Sequence, residues 1–159
     1  MLKFKPVAKY EKGIVFSLLL QSWKELWNDK IENRVKQYER EIFKHPNTVG
    51  ACVFISTLND KPIGMASWEP IQGDDFGIIG YNCILPEYRG KGFGRAQIKE
   101  ILKRLWNQGY KKVLVKTGDH PFFAAADKMY LACGFHEIRR NESSSDPRYG
   151  SIEYEVELK

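Results

Sequence analysis

YNCILPEYRGKGFGRAQIKEILKRLWNQGYKKVLVKT, residues 81–117, sets three unlike patterns end to end. It begins inside FGIIGYNCIL, a run apolar enough for a central strand. It then enters PEYRGKGFGR (86–95), where Gly90, Gly92 and Gly94 alternate with other residues and Arg89, Lys91 and Arg95 bracket them. Beyond Gly94, Ile98, Ile101, Leu102 and Leu105 recur at i, i+3, i+4 and i+7. That spacing predicts a helix beginning in the glycines and ending at Gly109. KKVLVKT follows as a short buried strand. Glycine at this density weakens helix and strand alike, so the stretch frees the backbone to approach something.

A glycine loop between a central strand and a helix N-terminus suits an anion. The first-turn N–H groups point outward and the helix dipole adds positive potential. Gly90, Gly92 and Gly94 admit phosphate oxygens close to the backbone, and Arg89, Lys91 and Arg95 supply charge. Two familiar phosphate motifs do not fit. Gly92 follows Lys91 where a Walker A loop has Ser or Thr for magnesium. Arg95 stands where a dinucleotide fingerprint needs its third glycine, and several strands precede the motif.

Outward from this stretch, LKFKPVA alternates as a first strand, and Val15, Leu18, Leu19, Trp23 and Leu26 recur at helical spacing from Glu11 to a break at Asn28-Asp29. A charge-rich helix is expected over Ile31–Phe43, then two strands joined at Asn59-Asp60. After KKVLVKT, Pro121 suits the first turn of another helix with Asp119-His120 as cap candidates. Phe122, Ala125, Ala126, Met129 and Cys133 are its expected buried stripe, and Gly134 its stop. FHEIRR and SIEYEVELK close the chain as strands. The order is strand, two helices, three strands, helix, strand, helix, two strands. It predicts a three-layer α-β-α fold of the α/β class, with a central mixed, mostly antiparallel sheet and one domain over 1–159.

Composition sets the class. Of 159 residues, 43% are apolar and 28% charged, the balance of a globular domain with a core. No apolar run reaches bilayer length, so no membrane partner is expected. Cys52, Cys83 and Cys133 stand apart among apolar neighbours, which points to free thiols in the cytoplasm, and the isolated histidines give no metal-ligand spacing. The net charge of +5 is uneven. Residues 89–116 carry nine bases and one acid, Glu100, whereas Asn59–Tyr88 holds five acids and Lys61 alone. A basic segment on an otherwise acidic chain fits one anionic ligand better than a nucleic acid.

Arg89-x-x-Gly92-x-Gly94 resembles the R/Q-x-x-G-x-G/A signature of the GNAT superfamily of N-acetyltransferases. Residues 81–117 are similar to that family's strand, loop, helix and strand, and MYLACGFHEI to its late helix ending in Tyr-x-x-x-Gly-Phe before a strand. The resemblance implies acetyl-coenzyme A as acetyl donor, with no metal, and transfer to a primary amine of a small molecule or protein by direct attack in a ternary complex. It implies that Cys83, Ile84 and Leu85 pair through their backbone with the pantetheine arm. Arg89, Gly90, Lys91, Gly92, Phe93, Gly94 and Arg95 would wrap the pyrophosphate, with Lys99 and Lys128 near the outer phosphates. Tyr130 stands where many members place the acid that protonates the departing thiolate. Phe123 stands where members often have Asn against the coenzyme arm. A homodimer is compatible with the resemblance.

The central strand offers no carboxylate base, so Glu69, Asp74, Asp75 and His120 are the candidates for accepting the amine proton. Cys83 has no neighbouring His to make it a nucleophile. Trp23, Trp27, Tyr38 and Trp68 read first as core or dimer interface, and otherwise as an aromatic pocket over the acceptor. The reading from another class is a non-catalytic module that holds coenzyme or nucleic acid on Lys91, Arg95, Lys99 and Lys103.

Overall fold

The computed structural model describes residues 1–70, 75–142 and 150–159. In chain order they form β1 (Leu2–Pro6), α1 (Ile14–Ser22), α2 (Asp29–Lys44), β2 (Val53–Leu58), β3 (Lys61–Trp68), β4 (Phe76–Ile84), α3 (Phe93–Asn107), β5 (Lys112–Gly118), α4 (Ala124–Ala132), β6 (His136–Asn141) and β7 (Ser151–Glu157). Hydrogen-bonded strands follow the order β1-β2-β3-β4-β5-β7-β6 in a mixed sheet, so the α/β class and the element order expected from the sequence are those the chain adopts. Its contacts gather into two compact units, Met1–Pro70 with Gly80–Gln97, and Ile71–Ile79 with Ile98–Lys159. Among the described residues no helix is long and apolar enough to cross a membrane.

In the first unit, β1 pairs antiparallel with β2 from Leu2↔Leu58 to Pro6↔Phe54, and β2 pairs antiparallel with β3. Asn59 and Asp60 take φ of 50° and 68°, the left-handed pair that closes a two-residue hairpin in register with strand twist. α1 and α2 bury Val15, Leu18, Leu19, Val35 and Ile42 against Val53, Ile55, Met65, Cys83 and Leu85. The first helix is shorter than its spacing suggested. Trp23 leaves helical backbone at φ −110° and ψ 24°, and a single 3₁₀ turn, Lys24–Leu26, carries the remaining periodic residue.

Glu39 breaks the expectation that charge on α2 faces solvent, being 6% exposed. Its Oε2 accepts the N–H groups of Val15 at 2.8 Å and Phe16 at 3.0 Å. α1 starts at Gly13, which has no side chain to cap those donors, and a carboxylate from the neighbouring helix does so instead. Its spacing from Val35 and Ile42 places it on the buried stripe. Glu39→Leu leaves two donors buried without an acceptor and is expected to cost about 1–3 kcal/mol in urea unfolding, whereas Glu39→Gln, which keeps an acceptor, costs less.

In the second unit, β4 pairs parallel with β5 over Phe76↔Lys112 to Ile78↔Leu114. β5 and β6 each flank β7 antiparallel, and β6 is exposed along its length. Ile98, Ile101 and Leu105 of α3 are fully buried, as the periodicity required. α4 corrects its expected stripe. Ala125 is exposed, Phe122, Ala126, Met129 and Cys133 are half-buried, and Tyr130 is the residue of this helix that is fully covered. The helix is short and alanine-rich, so hydrophobic contrast around it is weak. Tyr130 is held by rings outside it, Phe135 at 5.5 Å and Tyr154 at 6.1 Å between centroids. His120 caps the preceding 3₁₀ turn as expected, its Nδ1 accepting the Phe122 N–H at 3.0 Å. Asp119 instead accepts the N–H of Gly150 at 2.7 Å.

Candidate functional site

Cys83 and Ile84 end β4 and Leu85 follows directly, all three buried. The Leu85 N–H donates to the Ile63 carbonyl at 2.8 Å. Gly64 lies against the Cys83 carbonyl so closely that a side chain there would collide with it. That carbonyl also receives Gln97 Nε2 at 3.4 Å, while Gln97 Oε1 accepts from Ser56 Oγ at 2.6 Å. Gln97 is 1% exposed and was missed in the sequence. The signal was its position beside Ile98 at the start of an otherwise apolar helix face, but its partners are 14 and 41 residues away.

Arg89 reaches back from the loop. Its Nε donates to the Ile84 carbonyl at 3.0 Å and its Nη2 to the Ser22 carbonyl at 2.6 Å. Ser22 is the last residue of α1, where a cation complements the helix dipole. The guanidinium therefore fixes the entry to the glycine loop.

Gly90 and Gly92 take φ of +75° and +87°, conformations L side chains rarely adopt. A Cβ at either would meet nothing within 4 Å, so the glycines serve backbone conformation and leave open space beside it. α3 starts directly after Gly92, whose carbonyl accepts the Ala96 N–H at 3.0 Å. The amides of Phe93, Gly94 and Arg95 thus form the helix's first turn, which lacks intrahelical acceptors by geometry. Phe93 and Gly94 are half-buried, and Lys91 and Arg95 exposed. Lys91 Nζ stands 6.0 Å from the centroid of the Tyr88 ring. The geometry presents backbone donors, two exposed cations and an unobstructed approach, and it can hold an anion.

The Cys83 thiol is pushed up to about 11 by burial. It stays protonated at neutral pH, which removes the thiolate that a covalent mechanism needs.

In the second unit, Tyr130 is 3% exposed. Asp127, one turn before it, accepts Thr117 Oγ1 at 2.6 Å. Tyr154 is pushed up to about 12, first by burial and then by the charge of Asp127. Phe123 is half-buried, its ring edge-on to Phe122 at 5.2 Å and pressed toward Gly118. His120, Asp127 and Tyr154 line an open cleft of about 360 Å³. Of the base candidates, Glu69 and Asp75 are exposed, His120 is half-buried, and Asp74 lies outside the described residues. Lys99, Lys103 and Lys128 are exposed.

The aromatic residues follow the core reading. Trp23, Trp27 and Tyr38 are half-buried against the first unit's core, and Trp68 is buried. Tyr81, unnoticed in the sequence, sits between Trp23 at 5.5 Å and Tyr38 at 4.8 Å.

Comparison with known proteins agrees with this fold. A model of the acetyltransferase (GNAT) family matches residues 14–135. N-acetyltransferase 8B of Mus musculus is 23% identical over 129 residues, covering 77% of this chain and 55% of that protein. The chain thus spans little more than half of that relative's length. Among solved structures, a candidate GNAT-family acetyltransferase from Desulfovibrio desulfuricans superposes with a TM-score of 0.81 at 14% identity, covering 100% of this chain and 99% of that one. A Bacillus subtilis acetyltransferase solved with CoA gives a TM-score of 0.71 at 12% identity, covering 99% and 98%. At these identities the likeness is one of fold.

Proposed function

The chain belongs to the GNAT family of acetyltransferases, and from that premise we propose that residues 1–159 act as one domain transferring an acetyl group from acetyl-coenzyme A to a primary amine. The observation that carries this reading is the left-handed turn at Gly90 and Gly92, which opens the first-turn amides of Phe93–Arg95 to a ligand between Lys91 and Arg95. That is the donor set a pyrophosphate requires. The solved B. subtilis relative with CoA adds support. The three free thiols favour a reducing, cytoplasmic setting.

Acetyl-coenzyme A brings an activated thioester, and the chain's own groups bind, orient and move protons around it. Arg89 holds the loop entry while Gly90–Arg95 take the phosphates. Phe123 offers the coenzyme arm an apolar contact in place of the amide many members use. Successive amides of an extended strand point to opposite edges, and that of Leu85 is directed to Ile63. The Ile84 amide is therefore the donor in Cys83–Leu85 suited to negative charge developing on the carbonyl oxygen, a contribution of about 3 kcal/mol for one such donor elsewhere. Tyr130 gives its proton to the departing sulfur. The amine attacks directly as the free base, because Cys83 is kept as a neutral thiol; the proton its nitrogen sheds on forming the amide goes to water, from which Tyr130 regains its own.

Thiol release from acetyl-coenzyme A across a panel of polyamines, amino acids, aminoglycosides and peptide N-termini, with product mass spectrometry, tests the reading. Release with one acceptor gaining an acetyl mass is the expected result. Coenzyme binding with no transfer to any amine would favour the non-catalytic module instead.

A further inference from the structure

Lys61 stands out in the sequence as the single base among the acids of Asn59–Tyr88. Its place in the first unit brings it to the glycine loop. The hairpin turn at Asn59-Asp60 delivers it to the start of β3. The acid beside it is engaged elsewhere, since Asp60 pairs with Lys5 of β1 at 2.9 Å and is held below its usual range by that partner. Lys61 Nζ instead stands 5.9 Å from the centroid of the Tyr88 ring, the same ring that Lys91 Nζ approaches at 6.0 Å. Tyr88 is half-buried against the core, and its N–H donates to the Leu85 carbonyl at 2.9 Å, so the ring is a fixed platform at the loop entry. Among the described residues neither lysine forms an ion pair. Two ammonium groups from separate segments thus converge on one ring at the loop entry, and the ring's quadrupole holds each only weakly. A phosphate anion is the stronger partner for both.

We propose that Lys61 is a phosphate-binding residue of the glycine-loop site, adding from the β2–β3 hairpin a further cation that shares the Tyr88 ring with Lys91. This rests on the acetyl-coenzyme A reading above. The shared chemistry is phosphate, and the coenzyme carries it both as pyrophosphate and as the ribose 3′-phosphate.

Calorimetric titration of wild type, Lys61→Ala and Lys61→Arg with CoA and with 3′-dephospho-CoA tests it, at about 0.05 M and about 0.5 M salt. Lys61→Ala is expected to weaken CoA binding about 3- to 10-fold at low salt, with Lys61→Arg near wild type and the gap closing at high salt. A gap that persists with dephospho-CoA assigns Lys61 to the pyrophosphate, and one that disappears assigns it to the 3′-phosphate. Wild type that binds CoA while Lys61→Ala binds it equally overturns this inference alone. A gap independent of salt, or one that Lys61→Arg does not restore, also overturns it, because that is a packing effect. Wild type that binds no CoA overturns the functional reading and this inference with it.

Discussion

Gly92→Val is expected to weaken acetyl-coenzyme A binding about 10²-fold while the far-ultraviolet circular dichroism stays that of wild type. The residue sits at φ +87°, where a β-branched side chain is among the least tolerated. Left-handed backbone costs an L-residue roughly 1–2 kcal/mol, and the loop relieves that by rotating toward negative φ. Rotation re-aims the amides that follow, Phe93, Gly94 and Arg95, and each misdirected amide forfeits a charge-assisted bond to phosphate. The protein itself loses little, because a Cβ at 92 meets no atom within 4 Å. Damage is therefore confined to the ligand. Gly64 makes the contrast, since a side chain there strikes the Cys83 carbonyl and Ile84, and the fold is what suffers. Unchanged coenzyme affinity by calorimetry in folded Gly92→Val protein would show that the loop does not hold phosphate.

For Tyr130→Phe the expected result is the opposite pattern: kcat lower by about 10²-fold, at the modest end for a general acid, with coenzyme affinity unchanged. Only a hydroxyl is removed. The ring keeps its edge-on packing with Phe135 at 5.5 Å and its contact with Tyr154 at 6.1 Å. A phenol, with a pKa of about 10 in water, carries its proton at neutral pH and can give it up as the C–S bond breaks. A thiolate with a pKa of about 8.5 departs tolerably without help, so the loss is partial. A coenzyme analogue with a more acidic thiol should recover part of the missing rate in the variant and gain less in wild type. Full kcat in Tyr130→Phe with a good acceptor would remove the assignment and leave water or another residue as the proton source.

The elements whose cause is local were legible in the sequence. Asn59-Asp60 turns because short polar side chains tolerate positive φ, and α3 starts after Gly92 and stops at Asn107, two residues before the left-handed Gly109 that turns the chain away. Partnerships across the chain were not legible. Periodicity tells which way a side chain faces, and it says nothing about what meets it there. Glu39 lies on the same stripe as Val35 and Ile42, yet the donors that justify it belong to another helix. Gln97 and Arg89 read as an ordinary helix residue and a loop cation, and their carbonyl partners lie as far as 67 residues away. α4 misled for the converse reason, its alanines giving a stripe that contacts from β7 and Phe135 overrode.

Because one guanidinium ties the Ile84 carbonyl to the Ser22 carbonyl, the loop entry and the end of α1 share a single equilibrium. A phosphate that draws Arg89 toward itself loosens the last turn of α1, and a ligand that tightens that turn preorganises the loop. Linkage makes the two effects equal in size. The turn in question leads straight to Trp23, whose ring packs on Tyr81 two residues before Cys83. On the coenzyme reading, occupancy of the loop would thereby be felt at an aromatic surface of the same unit, and the first ligand to bind would set the terms on which the second arrives.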